Sequence, residues 1–313
     1  MAKLNQIECV TGYKNVGFGT CVFDPKQIAG AMLFPEERVF TQQELDTLQT
    51  TLQNLAKADN KSQRMYPIHR FVAVTDNTED VILQTFDYGA KQIVRDGDYD
   101  FSFQYLDGAL CLQTALRSFN GPTPFLLYDK KGNIIGSKSN GKLSTIKPHF
   151  FYAMPWKLAT GAATAAYMIR FSFTPDQINE YLGFVPTKFD LTDIVGLKDV
   201  EVVVNSYNEG TGVANVTLQT LCNKVNIGAN LATELANASN FVASNKETGG
   251  AITVTNAAAA TGNTFDITMD TGDDDYPAAG GVILLNLAAP SVLEDNSIDG
   301  YEGIEAEIEL AAS

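Results

Sequence analysis

The stretch DYDFSFQYLDGALCLQTALRSFNG, residues 98–121, decides how the rest of the chain is read. Tyr99, Phe101, Phe103 and Tyr105 alternate with Asp100, Ser102 and Gln104, the period of a strand with one apolar and one wetted face. The period then changes. Leu112, Ala115, Leu116 and Phe119 recur at i, i+3, i+4 and i+7, predicting a short helix with Asp107 as its N-cap and Asn120-Gly121 at its end. FLLY (125–128), a DKKGN turn and NIIGSK (133–138) follow as a hairpin. AAYMIRFSF (165–173) repeats the alternation, with Tyr167, Ile169, Phe171 and Phe173 on one face and Met168, Arg170 and Ser172 on the other. The match predicts that the two strands share one antiparallel sheet with the same inward face.

Outward from this centre the elements become shorter. GFGTCVF (17–23) and IAGAMLF (28–34) read as strands or ordered arms. Thr41 to Glu44 forms a T-x-x-E capping box that opens a helix through about Lys57. Leu45, Leu48, Leu52 and Leu55 give that helix an apolar stripe, suited to packing on the chain's own sheet. FVAVT (71–75), a DNTED turn and VILQTF (81–86) predict a hairpin. Residues 139–164 read as a long loop carrying the aromatic cluster HFFYAMPW (149–156), and Thr174-Pro175-Asp176-Gln177 caps a further short helix ending at Gly183.

Past Pro186 the composition changes. FDLTDIVGLKD reads as a linker into six strand candidates: VEVVVNSY (200–207), NVTLQTL (215–221), GAITVTN (250–256), FDITMD (265–270), GVILLNL (281–287) and GIEAEIEL (303–310). Only NLATELANAS (230–239) is helical in character there. The expected fold is mainly β with short helices: an antiparallel sheet with flanking helices over 1–190, then an immunoglobulin-like β-sandwich over 197–313.

Charge follows the same division. Residues 1–190 hold 19 Lys and Arg against 19 Asp and Glu, whereas residues 191–313 hold 3 against 18, so the second region carries the whole net charge of −15. A lysine-poor acidic region excludes nucleic acid or an anionic membrane as its partner. Cys9, Cys21, Cys111 and Cys222 form no CxxC pair, which predicts buried free thiols in a reducing compartment and no zinc site. The N-terminal MAKLNQIECVTGY lacks the apolar core of an export signal.

No motif for catalysis stands out. GSKSNGKL (136–143) approaches a phosphate loop, but Leu143 replaces the magnesium-binding hydroxyl, so a hairpin exit is expected. DGDYD (96–100) lacks the glycine and terminal glutamate of a calcium loop, and strand period explains its acids better. TGDDDYP (271–277), with Asp273, Asp274 and Asp275, is a weak calcium candidate set against an ordinary acidic turn. His69 and His149 have no neighbouring nucleophile, and the sequons at Asn215 and Asn237 read as coincidental. No cofactor is expected.

The order strand and helix (98–121), hairpin (125–138), extended loop (139–164) and strand AAYMIRFSF resembles the tube proteins of long-tailed bacteriophages and the related Hcp-like ring proteins. That resemblance implies a structural virion protein, made in the host cytoplasm, with no enzymatic activity. It implies homo-oligomeric rings, a hexamer being the first symmetry to test, stacked into a tube that contacts other tail proteins. DNA would meet it only in passage, and no membrane is involved. Asp100, Ser102 and Gln104 would face a lumen or a neighbour. Lys138, Lys142, Lys147, Trp156 and Arg170 would make contacts between subunits. The resemblance also implies that the sheet of residues 1–190 closes nearly into a barrel. The helix at 41–57 departs from the family pattern and leaves open another virion role, such as a head or neck component. A head decoration protein, a carbohydrate-binding adhesin and a hydrolase are the competing classes.

Overall fold

The alternation at 99–105 and at 165–173 produces one antiparallel ladder, running from Tyr105 opposite Tyr167 to Tyr99 opposite Phe173. In the computed structural model, residues 23–312 are described apart from 96, 106–109, 140–141, 157–165, 176 and 178–180. The chain divides into two compact units between Val195 and Gly196. Both are built mainly of strands with a few short helices.

The first unit begins with β1 (Ile28–Leu33), α1 (Gln42–Asp46), α2 (Leu48–Ala56), β2 (Tyr66–Ile68) and β3 (Phe71–Asp76). Next come β4 (Ile82–Thr85), β5 (Lys91–Arg95), β6 (Tyr99–Tyr105) and α3 (Leu110–Leu116). It continues with β7 (Phe125–Asp129), β8 (Asn133–Ser139), β9 (Lys142–Ser144), β10 (Phe150–Ala153), β11 (Tyr167–Phe173) and β12 (Leu182–Pro186). Its strands form two antiparallel sheets and a separate ribbon. One sheet has the order β12-β8-β7-β1-β2, with β9 on β8; the other is β10-β11-β6-β3; β4 and β5 pair only with each other.

The hairpin at 125–138 therefore joins the first sheet and not the sheet of its sequence neighbour β6. The two sheets close over an aromatic core, in which Phe125 and Phe171 lie 4.3 Å apart between ring centroids and Phe101, Phe103 and Phe151 are buried. Burying several such rings, at about 1.5–3 kcal/mol each, is the main force joining the layers.

On the outer face of the first sheet lie α1 and α2. Thr41 and Glu44 complete both hydrogen bonds of the capping box. Leu45, Leu48, Leu52 and Leu55 pack on Met32, Leu126, Tyr128 and Ile134 of the sheet, as their spacing predicts. The helix breaks at Thr47 (φ −115°, ψ 36°), whose hydroxyl donates back to the Gln43 carbonyl. Leu191 and Ile194 are buried in this same layer, so the supposed linker is part of the first unit's core.

Several other expectations give way. β3 does not pair with β4: it pairs with β6, and the strand at 82–85 turns back on 91–95. Sequence alternation fixed the strands here, while the choice of partner depended on burial that alternation does not encode. Pro175 and Gln177 are helical, as the Thr174 cap predicts, but Gly183 lies inside β12, paired with Gly136. FFYA (150–153) is strand β10, with Phe151 in the core, and not part of a loop. The stripe of α3 is turned, with Gln113 buried and Ala115 exposed. Cys111 and Cys222 are both disulfide-bonded, which overturns the free-thiol reading for these two, because sequence spacing says nothing of which sulfurs meet in space; Cys9 and Cys21 lie outside the described residues. The N-cap Asp107 and most of the arm at 17–23 lie outside the described residues.

The second unit is a two-sheet sandwich. One sheet joins β17 (Val254–Ala260), β18 (Thr264–Met269), β14 (Val213–Thr220), β13 (Lys198–Asn208) and β20 (Tyr301–Ile304); the other joins β16 (Ala251–Ile252), β15 (Phe241–Asn245), β19 (Val282–Leu287) and β21 (Ala306–Glu309). Its core holds Val202, Val216, Leu218, Phe265, Ile267 and Leu285. The final alternation at 303–310 is two strands, which change sheets at Glu305 while Ile308 and Leu310 stay buried. FVASN (241–245) is a strand that the sequence reading passed over.

Candidate assembly surface

The polar face of the β6–β11 pair is the densest cluster of predicted site residues. Register places Ser172 opposite Asp100 and Arg170 opposite Ser102. Arg170 grips Asp100 with a fork: Nε lies 2.7 and 2.9 Å from the two carboxylate oxygens and Nη2 lies 2.5 Å from Oδ2. The hydrogen bond to Asp100 raises the guanidinium pKa further above its ordinary value. Arg170 also lies over the Phe150 ring, 5.6 Å from its centroid.

Asp100 is only 5% exposed and Ser102 only 4%. Asn77 Nδ2 donates to Ser102 Oγ at 2.8 Å, and Thr78 Oγ1 accepts from the Asp100 amide at 3.4 Å. Asp98 pairs with His149 at 3.0 Å. The face expected to be wet is thus roofed by its own polar partners, and Asp100 is not a free lumenal carboxylate. Of the predicted trio only Gln104 keeps partial exposure.

The remaining predicted residues do not converge on this cluster. Lys138 and Lys142 sit on β8 and β9 in the other sheet, where Lys138 faces Leu143 and Lys142 faces Ser139. Lys147 pairs with Glu37 at 2.5 Å on the surface. Trp156 is 37% exposed and stacks on Tyr167, with centroids 5.9 Å apart and planes 11° from parallel. Leu143, the misfit of the phosphate-loop pattern, is buried under the helical layer.

Tyr105, on the predicted inward face, and Gln113, which sequence reasoning missed, hold α3 in place. Tyr105 donates to Gln113 Oε1, and Gln113 Nε2 donates to the carbonyls of Met154 and Met168. Burial, then the neighbouring Tyr167, raises the Tyr105 phenol pKa. The buried Gln113 sits in the predicted helix but off its apolar stripe, so no periodicity signal marks it. His69 is structural: Nε2 donates to the Ile194 carbonyl at 2.8 Å, and Nδ1 is hydrogen-bonded with the Tyr128 hydroxyl at 2.6 Å.

In the second unit, Asp273 of TGDDDYP is engaged by Thr253 and by its own turn. Asp273 accepts from the Thr253 hydroxyl and amide at 2.8 and 3.0 Å and from the Asp275 amide at 3.2 Å. The Thr253 hydroxyl bond, followed by those amides, holds its carboxyl below the usual range. Among the described residues no three Asp, Glu, His or Cys side chains gather as a metal site. Among them, too, no helix is long and apolar enough to cross a membrane.

The most unusual surface lies where β3 and β6 leave their sheet. Their ladder continues through the bonds of the Asn77 amide to Asp100 and the Glu79 amide to Asp98, then becomes the β4–β5 ribbon. Gly97 permits this crossing, because a Cβ there would run into the Glu79 carbonyl. Every residue of β4 and β5 is exposed, including Ile82, Leu83, Ile93 and Val94, and Tyr88 at the tip is 80% exposed. Phe86 and Tyr88 stack on each other, 5.5 Å apart.

No protein-family model matches the sequence, and no curated protein matches it. Among solved structures the chain is weakly similar to Tp47, the 47-kilodalton lipoprotein of Treponema pallidum, with a TM-score of 0.21 and 8% identity over 88% of this chain and 69% of that one. A likeness of that size carries no argument about fold or function.

Proposed function

We propose that this chain is a structural virion subunit that self-assembles through its first unit, the tube protein of a bacteriophage tail. In this reading, copies form rings, the rings stack into a tube that conducts DNA, and the acidic second unit keeps assemblies apart by mutual repulsion. The observation that carries the reading is the exposed apolar ribbon continuing an edge strand. A lone two-stranded ribbon is marginal in water, and an unpaired apolar edge is an association site unless something covers it. The element order that resembles tail-tube proteins adds support. Disulfides suit a particle that meets an oxidising medium after release by lysis.

Negative-stain microscopy of the purified chain at rising concentration tests the proposal. Rings or tubes are the expected outcome; nothing but discrete monomers or trimers sinks it. A carbohydrate-binding adhesin is the second reading, supported by the exposed Trp156–Tyr167 stack. Because Trp156 is the single tryptophan, glycan binding there would quench all of the chain's tryptophan fluorescence.

A further inference from the structure

The geometry points to the occupant of the exposed ribbon: a groove on the β3 edge of a second copy of this chain. The inference rests on the self-assembly reading and names the surfaces that would carry it out.

The groove runs beside β3. Ile28, Phe71, Val74 and Phe103 line it, and Lys26 and Lys130 stand beside them. Its volume is about 240 Å³, below the about 300–1,000 Å³ of small-molecule pockets and of the scale of one or two inserted side chains. Among the described residues β3 pairs with β6 alone, which leaves its other edge for a further strand. Val72 on that strand is 50% exposed.

The ribbon supplies the complement. Five residues of β5 extend about 17 Å at strand rise, enough to reach across to a neighbouring molecule. The tip carries the aromatic pair Phe86 and Tyr88 with Asp87 between them. Asp87 is the charged residue within the turn, Lys91 stands at its base opposite Thr85, and Arg95 is paired with Glu79 at 2.8 Å. An aromatic tip with one carboxylate matches an apolar groove with two ammonium groups. In its own copy the tip stands in solvent, so it does not fill the groove of the same chain.

Tip and groove are different surfaces, so the contact is head-to-tail and repeats from copy to copy. Such a contact closes into a ring when its rotation divides a full turn and otherwise runs on as a filament.

A charge swap tests the pairing, read by sedimentation velocity of the full chain. Asp87→Lys alone, and Lys26→Glu with Lys130→Glu, are each expected to weaken association by about tenfold or more. The triple variant should recover most of it. All three side chains are exposed, and unchanged thermal unfolding shows that the fold is intact. A photo-crosslinker at position 88 should join isotope-distinguished copies at the peptide holding Phe71–Val74. If the wild-type chain associates and the half-swaps do so equally well, or the triple variant fails to recover, the ribbon inference falls alone. If the wild-type chain stays monomeric at every concentration, the assembly reading falls with it. Binding to phosphatidylcholine vesicles that Tyr88→Ser abolishes would give the ribbon to a lipid surface and overturn the inference.

Discussion

The two units use the same strand alternation to different ends. In the second, β14, β18 and β19 alternate buried and half-buried positions along most of their length, so one face meets the opposite sheet and the other meets water. In the first, four consecutive positions of β6 are buried, from Asp100 to Phe103, and β7 is buried over Phe125–Tyr128. Helices cover one sheet there, and a roof of paired charges covers the polar face of the other. The lesson is that a period of two identifies two faces but not which of them is wet. A polar side chain can lie on a covered face once its partners arrive from another strand.

The sharpest way to test this contrast is to empty each core. Phe171 in the first unit and Phe265 in the second are both 0% exposed, and Phe→Ala at either should cost about 3–5 kcal/mol. Trp156 reports the first unit alone, so urea unfolding followed by its fluorescence should shift for Phe171→Ala and not for Phe265→Ala. Equal shifts would mean that the two units unfold as one.

Smaller, and more pointed, is a charge reversal on the covered face. Asp100→Lys should cost about 2–3 kcal/mol, less than a fully buried pair because Arg170 is 39% exposed. An unchanged urea midpoint would restore the wet-face reading of Asp100.

Thr41→Ala removes the cap of α1 and should cost about 1 kcal/mol. Burial raises the Glu44 pKa, but its bonds from Thr41 and the nearby Arg38 outweigh that and leave it lowered. A lowered carboxyl contributes stability above its unfolded pKa and loses it as pH falls through the folded one. The wild type should therefore lose more stability than Thr41→Ala between pH 5 and 3, roughly the window below an unfolded Glu. Parallel pH profiles would contradict that account. Least of all, Glu307→Gln breaks the exposed pair with Lys246 and should leave the thermal midpoint unmoved.

Much of the scaffold could be read from the residues. The alternations of β6 and β11, the capping box at Thr41 and the leucine stripe each announce themselves within a single element, where a local period or cap suffices. What stayed hidden depends on meetings between elements. VILQTF and FVAVT look like hairpin partners because both alternate, yet β3 buries Phe71 against Phe103, with rings 5.0 Å apart, and leaves β4 to 91–95. The candidate site fared less well. Asp100, Ser102 and Arg170 do come together, because they lie on adjacent strands of one sheet. The lysines scatter, because a basic loop carries no signal of what it faces.

The second unit holds one further consequence. Its first strand, β13, lies parallel to β20, with Lys198 opposite Tyr301 through Glu201 opposite Ile304. A pull applied at Gly196 and at Ile304 therefore slides these strands along each other, and the bonds between them share the load at once instead of peeling apart singly. Under tension the unit should behave as a shear clamp, yielding abruptly at high force.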